Sequence, residues 1–268
     1  MLIESTRNRH VKEAGALRSS HNRVKAGRVL VEGRKAVLDA LRSGVEPVYA
    51  LVRAGFGGAR ANEPVLEELE RRGVAIHPVT PPVFDKISST ERSQGIVLVA
   101  QEPRWRREDL LREGDTRPVV VLEELQDPGN LGATLRSAAA LGFRGAILTR
   151  GTTDPYGAKV VRAAAATVFR FPVLRTGENA AEILAWLREH GFVPIAAAPG
   201  GDPPEVALRA VGGPVALVIG SEGRGLRSET LDLVERRVWI PIEPGVESLN
   251  AGVAFGILAY VLSRQLRG

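Results

Sequence analysis

The stretch Gln126–Phe143, QDPGNLGATLRSAAALGF, sets how the whole chain is read. It follows a short apolar run, Val119–Leu122 (VVVL), and precedes another, GAILT, beginning at Gly145. Strand, turn, small-residue helix and strand in that order make a βαβ unit, the building block of a parallel sheet. Pro128-Gly129-Asn130 reads as the turn into the helix, with Asn130 placed to cap a free backbone N–H. Arg136 stands alone in mid-helix, aligned with Gly132 at i−4 and Ala140 at i+4. Such small neighbours leave room for another molecule to reach the guanidinium. An arginine that merely extends into water has the same sequence signature.

Working outward, more apolar runs follow: Phe192–Ala198 (FVPIAAA), Pro214–Gly220 (PVALVIG) and Val238–Ile242 (VWIPI). Helical stretches are expected around Gly157–Thr167, Ala180–His190 and Leu226–Arg236, and a last helix over Leu249–Leu266. Upstream, RVLVEG, VYALVR, AIHPV and GIVLVA alternate with helical stretches at Lys35–Arg42 and Glu63–Arg72. Between the two blocks lies Glu102–Pro118, EPRWRREDLLREGDTRP, where charge and proline break the apolar pattern as a linker does. The expected organisation is a small α/β domain over 1–103, a linker over 104–117 and a second α/β domain over 118–268. In the second block, runs apolar throughout with helices between them indicate a mainly parallel sheet covered on both faces.

Composition narrows the chemistry. The 268 residues contain no cysteine, which removes disulfides, thiolate metal sites and cysteine nucleophiles and fits a reducing, cytoplasmic setting. His10, His21, His77 and His190 are scattered without metal-ligand spacing, so no metal is expected. The opening MLIESTRNRHVK lacks the apolar core of a signal peptide. The apolar run Ala251–Leu262 falls short of the ~20 residues needed to span a bilayer. Lys+Arg number 36 against 31 Asp+Glu, with a pI of about 9.9. The excess is uneven: Arg7, Arg9, Lys12, Arg23 and Lys25 lie in the first 35 residues, which hold only Glu4, Glu13 and Glu32 as acids. Such a segment is either a solvated face or a surface that contacts phosphates.

In open parallel sheets, ligands bind beyond the carboxyl ends of the strands. Three loops there carry distinctive residues. The first is the quoted stretch. The second, Ala216–Leu226 (ALVIGSEGRGL), has Gly220, Gly223 and Gly225 around Glu222; it matches neither the dinucleotide fingerprint nor the phosphate loop. The third, Ile240–Leu262, places Ser248 and Asn250 at the head of an apolar helix, where capping is the ordinary role. Gly252 and Gly256 on that helix allow close packing, within the fold or at a dimer seam.

Taken together these stretches resemble the SpoU/TrmH group of SPOUT RNA ribose 2′-O-methyltransferases. DPGNLGATLRSAAALGF is similar to the group's first motif, LVIGSEGRGL to its second and IPIEPGVESLNAGVAFGILAY to its third. STRNRHVK, VLVEGRKAVLDALRSG and SQGIVLVA resemble the substrate-binding domain that precedes the catalytic domain in many members. The resemblance implies a deep trefoil knot in the C-terminal domain, S-adenosylmethionine as methyl donor, and a homodimer formed through that domain. It places Gly220, Ile240 and Leu249 at cofactor positions and Asn130, Arg136, Glu222, Ser248 and Asn250 at active-site positions. It implies an RNA partner, ribosomal rather than transfer RNA, with the large subunit favoured; the basic residues Arg7, Arg9, Lys12, Arg23 and Lys25 are expected to hold that RNA by phosphate contacts. In one segment the chain departs from the group: where members often read Arg-x-Ser-x-Gly, Arg162 is followed by alanines, with Ala164 and Ala166 at the serine and glycine places. The alternatives are a transfer-RNA methyltransferase of the same group, a non-catalytic RNA-binding protein that retains the fold, and, least favoured, a small-molecule α/β enzyme.

Overall fold

In chain order the elements are α1 (Arg9–Ala16), α2 (Ser20–Ala26), β1 (Arg28–Glu32), α3 (Arg34–Arg42), β2 (Pro47–Arg53), α4 (Glu63–Arg71), β3 (Ala75–Val79), α5 (Pro81–Ile87) and β4 (Ile96–Gln101). They continue with β5 (Val119–Leu122), α6 (Pro128–Ala140), β6 (Gly145–Leu148), α7 (Ala158–Ala163), β7 (Val173–Arg175), α8 (Ala180–Glu189) and β8 (Val193–Asp202). The last are α9 (Pro204–Ala207), β9 (Val215–Ile219), α10 (Ser228–Leu231), β10 (Arg236–Val238) and α11 (Ala251–Arg267). This computed structural model describes residues 1–268 apart from 91, 92, 113, 210, 246 and 268. The chain divides into two units, one of residues 1–104 with 156–170, the other of 105–155 with 171–268.

The first unit is built on a four-stranded sheet in the order β1-β4-β2-β3. In it β4 runs antiparallel to both β1 and β2, while β2 and β3 are parallel. Uninterrupted apolar runs report burial on both faces, not strand direction, and β4 is buried along nearly all its length. Val11 and Ala14 of α1, Leu17 just after it, and Val83, Phe84 and Ile87 of α5 pack on one face against Leu30, Leu51 and Val97. Alternate residues Val29, Val31, Ala50 and Leu98 are equally buried, because successive side chains point to opposite faces. The late segment 156–170 brings α7 against β1. There Ala165 and Ala166 take left-handed backbone (φ 47° and 57°), a region that favours glycine. Ala164 and Ala166 are fully buried, so this departure from the group's pattern alters the interior and not an exposed contact.

The second unit carries a six-stranded sheet in the order β10-β8-β9-β5-β6-β7, parallel throughout. Central β5 pairs β9 on one side and β6 on the other, with Leu122 opposite Ile219 and Leu148. The loops after β5 and β9 therefore leave the sheet side by side. On one face Ile183, Leu184 and Leu187 of α8 join Val119, Val121, Ile147 and Val218. Elsewhere α6 packs against α11, where a Cβ on Gly252 would lie 3.3 Å from that of Ala133. Gly252 thus serves packing within the unit, while Gly256 faces open space.

The stretch read as a linker is partly built into this unit. Residues Arg107–Leu110 form a 3-10 turn, Leu110 is fully buried, and the Arg144 guanidinium donates to the Leu110 carbonyl at 2.6 Å. The helix expected over Leu226–Arg236 is a single turn, Ser228–Leu231, and the strand expected over Val238–Ile242 is Arg236–Val238. The strand stops short of Pro241, which has no N–H to give a ladder.

Candidate active site

Helix α6 begins one turn earlier than the sequence suggests. Asp127 is its N-cap, with Pro128 at the first helical position, and the Asp127 carboxylate accepts from the Asn130 N–H at 2.8 Å. Asn130 is therefore inside the first turn, and its amide is free for other work. That amide donates from Nδ2 to Glu222 Oε1 at 2.7 Å and accepts at Oδ1 from Asn250 Nδ2, also at 2.7 Å. Asn250 in turn caps α11, its Oδ1 accepting from the Gly252 and Val253 N–H groups at 3.0 and 3.2 Å. A carboxylate can only accept and a backbone N–H can only donate, so both ends of the chain force both amide orientations. The three strand-end loops are thereby tied together through Glu222, Asn130 and Asn250.

Arg136 lies two turns along α6. The helix's exposed residues are Gly129, Ala133, Arg136 and Ala140, so the guanidinium is the only long side chain on that face. Gly132, its expected neighbour, is buried, and Ala133 takes that place. Arg136 has no hydrogen-bond or ion-pair partner among the described residues. It remains available to an anion.

Ile240 and Leu249 line a hollow of about 130 Å³, together with Ser248, Ala197, Val238 and Leu258. Its walls are apolar, while Ile240 and Leu249 sit outside helix and strand with backbone groups that no regular ladder uses. Apolar walls with backbone donors at the edge suit the base and sugar of a nucleoside. Gly220 does not line this hollow. A Cβ there would come within 2.3 Å of the Gly225 carbonyl carbon, so the residue is needed where its loop doubles back. Ser221 and Gly225 close that loop with paired backbone hydrogen bonds of 3.1 and 2.9 Å. The glycine signal reported backbone against backbone.

In the first unit Arg7, Arg9, Lys12 and Lys25 are exposed. Arg23 is the exception, a correction to the expectation that it meets RNA. It is buried, and its guanidinium donates to the carbonyls of Leu17 and Arg18 at 2.8 and 3.0 Å. The end of α1 leaves carbonyls without helical partners, and a guanidinium fork satisfies two of them. Nearby, His10 and His77 stack with ring centroids 4.5 Å apart. Burial lowers both from the usual histidine range, helped for His10 by His77 and Arg9 and for His77 by the chain amino terminus and Arg9. Glu32 is buried under a hydroxyl cluster. Burial pushes its carboxyl up, but hydrogen bonds from Ser88, Ser89 and Thr90 outweigh that and hold it below the usual range. Sequence reading missed this cluster, as it missed Glu123 and Glu124 at the end of β5. Paired acids directly after an apolar run were the available signal.

Comparison with known proteins then places the chain. Residues 30–106 match the family model described as RNA 2′-O ribose methyltransferase substrate binding, and residues 117–260 match the SpoU rRNA Methylase family. A substrate-binding module followed by a methylase domain defines a class of RNA-modifying enzyme. The chain belongs to the SpoU rRNA methylase family. It is 30% identical to the Bacillus subtilis 23S rRNA (guanosine(2553)-2′-O)-methyltransferase RlmP, covering 97% of this chain and 98% of that protein. A crystal structure of an RNA 2′-O ribose methyltransferase matches with a TM-score of 0.81 and 31% identity over 100% of both chains. The AdoMet-bound rRNA methyltransferase from Sinorhizobium meliloti matches with a TM-score of 0.82 and 29% identity, over 99% of this chain and 98% of that one.

Proposed function

We propose that ribosomal RNA, of the large subunit, is the substrate of this S-adenosylmethionine-dependent RNA 2′-O-ribose methyltransferase. The observation that carries the assignment of its centre is the hydrogen-bonded run Glu222–Asn130–Asn250, whose middle member shares α6 with Arg136, a side chain with no partner among the described residues. When bound, S-adenosylmethionine supplies an electrophilic methyl group on a sulfonium. The hollow beside Ile240, Ser248 and Leu249 would hold its nucleoside part. Arg136 grips a phosphate next to the target ribose and stabilises charge developing on the 2′-oxygen, work suited to a planar fork of donors. A guanidinium that stays protonated across the working pH range is a poor proton acceptor, which favours this role over that of base. Asn130 and Glu222 hold the first two loops in register, and Asn250 ties the third to them.

Ribosomal RNA is favoured because the Bacillus relative named for 23S rRNA aligns along almost the whole chain. The exposed Arg7, Arg9, Lys12 and Lys25 give the first unit a surface for phosphates. We further propose that the chain acts in the cytoplasm as a homodimer, with the trefoil knot of its group. Val253, Ile257 and Tyr260 of α11 are 52, 38 and 56% exposed at i, i+4 and i+7, an apolar stripe suited to a second copy. Mapping ribose methylation in total RNA from cells with and without the protein tests the substrate. Loss of one 2′-O-methyl in large-subunit RNA is expected; loss confined to transfer RNA overturns the assignment.

A further inference from the structure

A second hollow, of about 340 Å³, opens between the loops that follow β5 and β9, and its lining holds none of the active-site or cofactor residues assigned above. Glu123, Glu124, Ser221, Arg224 and Arg227 line it. It lies at the carboxyl ends of neighbouring parallel strands, where open α/β sheets bind ligands. Its two loops lead directly to Asn130 and contain Glu222. Its volume is near the lower end of the ~300–1,000 Å³ usual for small-molecule sites, enough for a single base.

The lining decides what kind of group fits. Glu123 is buried and fully used, accepting from the Arg227 N–H at 3.2 Å and the Thr230 hydroxyl at 2.8 Å. Glu124 differs. Its N–H donates to the Thr149 hydroxyl at 3.1 Å, and its Oε1 accepts from Arg227 Nη2. Its Oε2 has no partner among the described residues. The wall therefore presents a carboxylate acceptor beside guanidinium donors. Phosphate is disfavoured against the carboxylates. The complement is a base edge with adjacent N–H donors next to a carbonyl.

Guanine alone has that edge, with N1–H and N2–H₂ donors beside the O6 acceptor. Adenine and cytosine put a ring acceptor where the carboxylate would sit, and uracil has one donor between two acceptors. We propose that this hollow selects guanine as the base of the methylated nucleotide. Glu124 accepts from N1–H and N2–H₂ while Arg227 donates to O6. This deepens the ribose-methylation reading and rests on it.

The test uses full-length enzyme with radiolabelled S-adenosylmethionine and ribosomal subunits from cells lacking the protein, followed by digestion to nucleosides. Label is expected in 2′-O-methylguanosine. Glu124→Gln should lower kcat/KM roughly ten- to a hundredfold, through KM, because its amide places a donor against the guanine donors. Calorimetric S-adenosylmethionine affinity should stay within twofold, and Glu205→Gln, a remote charge control, should match wild type. Should Glu124→Gln not fold, competition on wild-type enzyme decides: guanosine monophosphate should inhibit at lower concentration than the other three monophosphates. Label in another nucleoside, unchanged kcat/KM in the variant, or equal inhibition by all four overturns the guanine site and leaves methylation standing. No label in any RNA, with the methyl donor bound, overturns the underlying reading.

Discussion

Replacing Asn130 by aspartate tests the centre most sharply. The change is nearly isosteric, but it sets a second carboxylate where Nδ2 now meets Glu222 Oε1 at 2.7 Å. Two unit charges at that separation repel by about 1.5 kcal/mol in a water-like dielectric and by about 6 kcal/mol at an effective dielectric of ~20. Glu222 and Asn250 are exposed, so the lower figure applies. It equals about one unit of pKa, or tenfold in an equilibrium. The pair should therefore take up one proton about a unit above the ordinary carboxylate range of ~4. Above that range the loops repel, and turnover should fall on the order of tenfold. As pH drops toward ~5 the shared proton restores a donor between the oxygens, and the ratio of variant to wild-type turnover should rise. Asn130→Ala lacks any donor and should show a low ratio at every pH. The assay is methyl transfer to ribosomal subunits at saturating methyl donor, from pH 5 to 8. A flat ratio for Asn130→Asp, or wild-type turnover in Asn130→Ala, refutes the role given to this junction.

Arg136→Lys should keep methyl-donor affinity yet recover little of the turnover lost in Arg136→Ala, since an ammonium lacks the fork; full activity in the lysine variant sinks the bidentate grip. Left-handed backbone costs a residue with a Cβ ~1–2 kcal/mol, while glycine costs ~0.4–1 kcal/mol of extra unfolded-state entropy. Ala165→Gly, where the methyl is half-buried, should stabilise the fold by about 0.5 kcal/mol; fully buried Ala166 loses a further ~0.8 kcal/mol of methyl burial, so Ala166→Gly should be near neutral in urea titrations. The folded state lowers the affinity of His10 and His77 for protons, so the unfolded chain binds more of them as acid is added. Stability should drop as pH falls below about 6.5, and the double change to glutamine should flatten that drop. Ile257→Asp sets a charge in the exposed α11 stripe and should shift the sedimenting species from dimer to monomer.

How far the sequence could be read depended on whether a property was local. The βαβ unit around Gln126–Phe143 was legible because its apolar runs and small-residue helix are short-range patterns, and α6 lies within it. Other local signals were read in the wrong direction. Asn130 has the chemistry of an N-cap, but Asp127 starts the helix, which frees Asn130 for Glu222 and Asn250. Arg23 belongs by composition to the basic segment, yet its fork closes the end of α1. The resemblance put Gly220 at a cofactor position, but what comes close to Gly220 is its own loop.

The sequence by itself determined which segments could be buried and which residue types stand at strand ends, because hydrophobic period, proline and glycine act over a few residues. Only tertiary structure decided the direction of β4, the depth of Arg23 and the meeting of residues 92 and 120 positions apart at Glu222, Asn130 and Asn250. Hydrogen bonds between such distant residues follow from strand order. The pairing of β5 with β9 puts their outgoing loops side by side, and no local pattern in the chain encodes that adjacency.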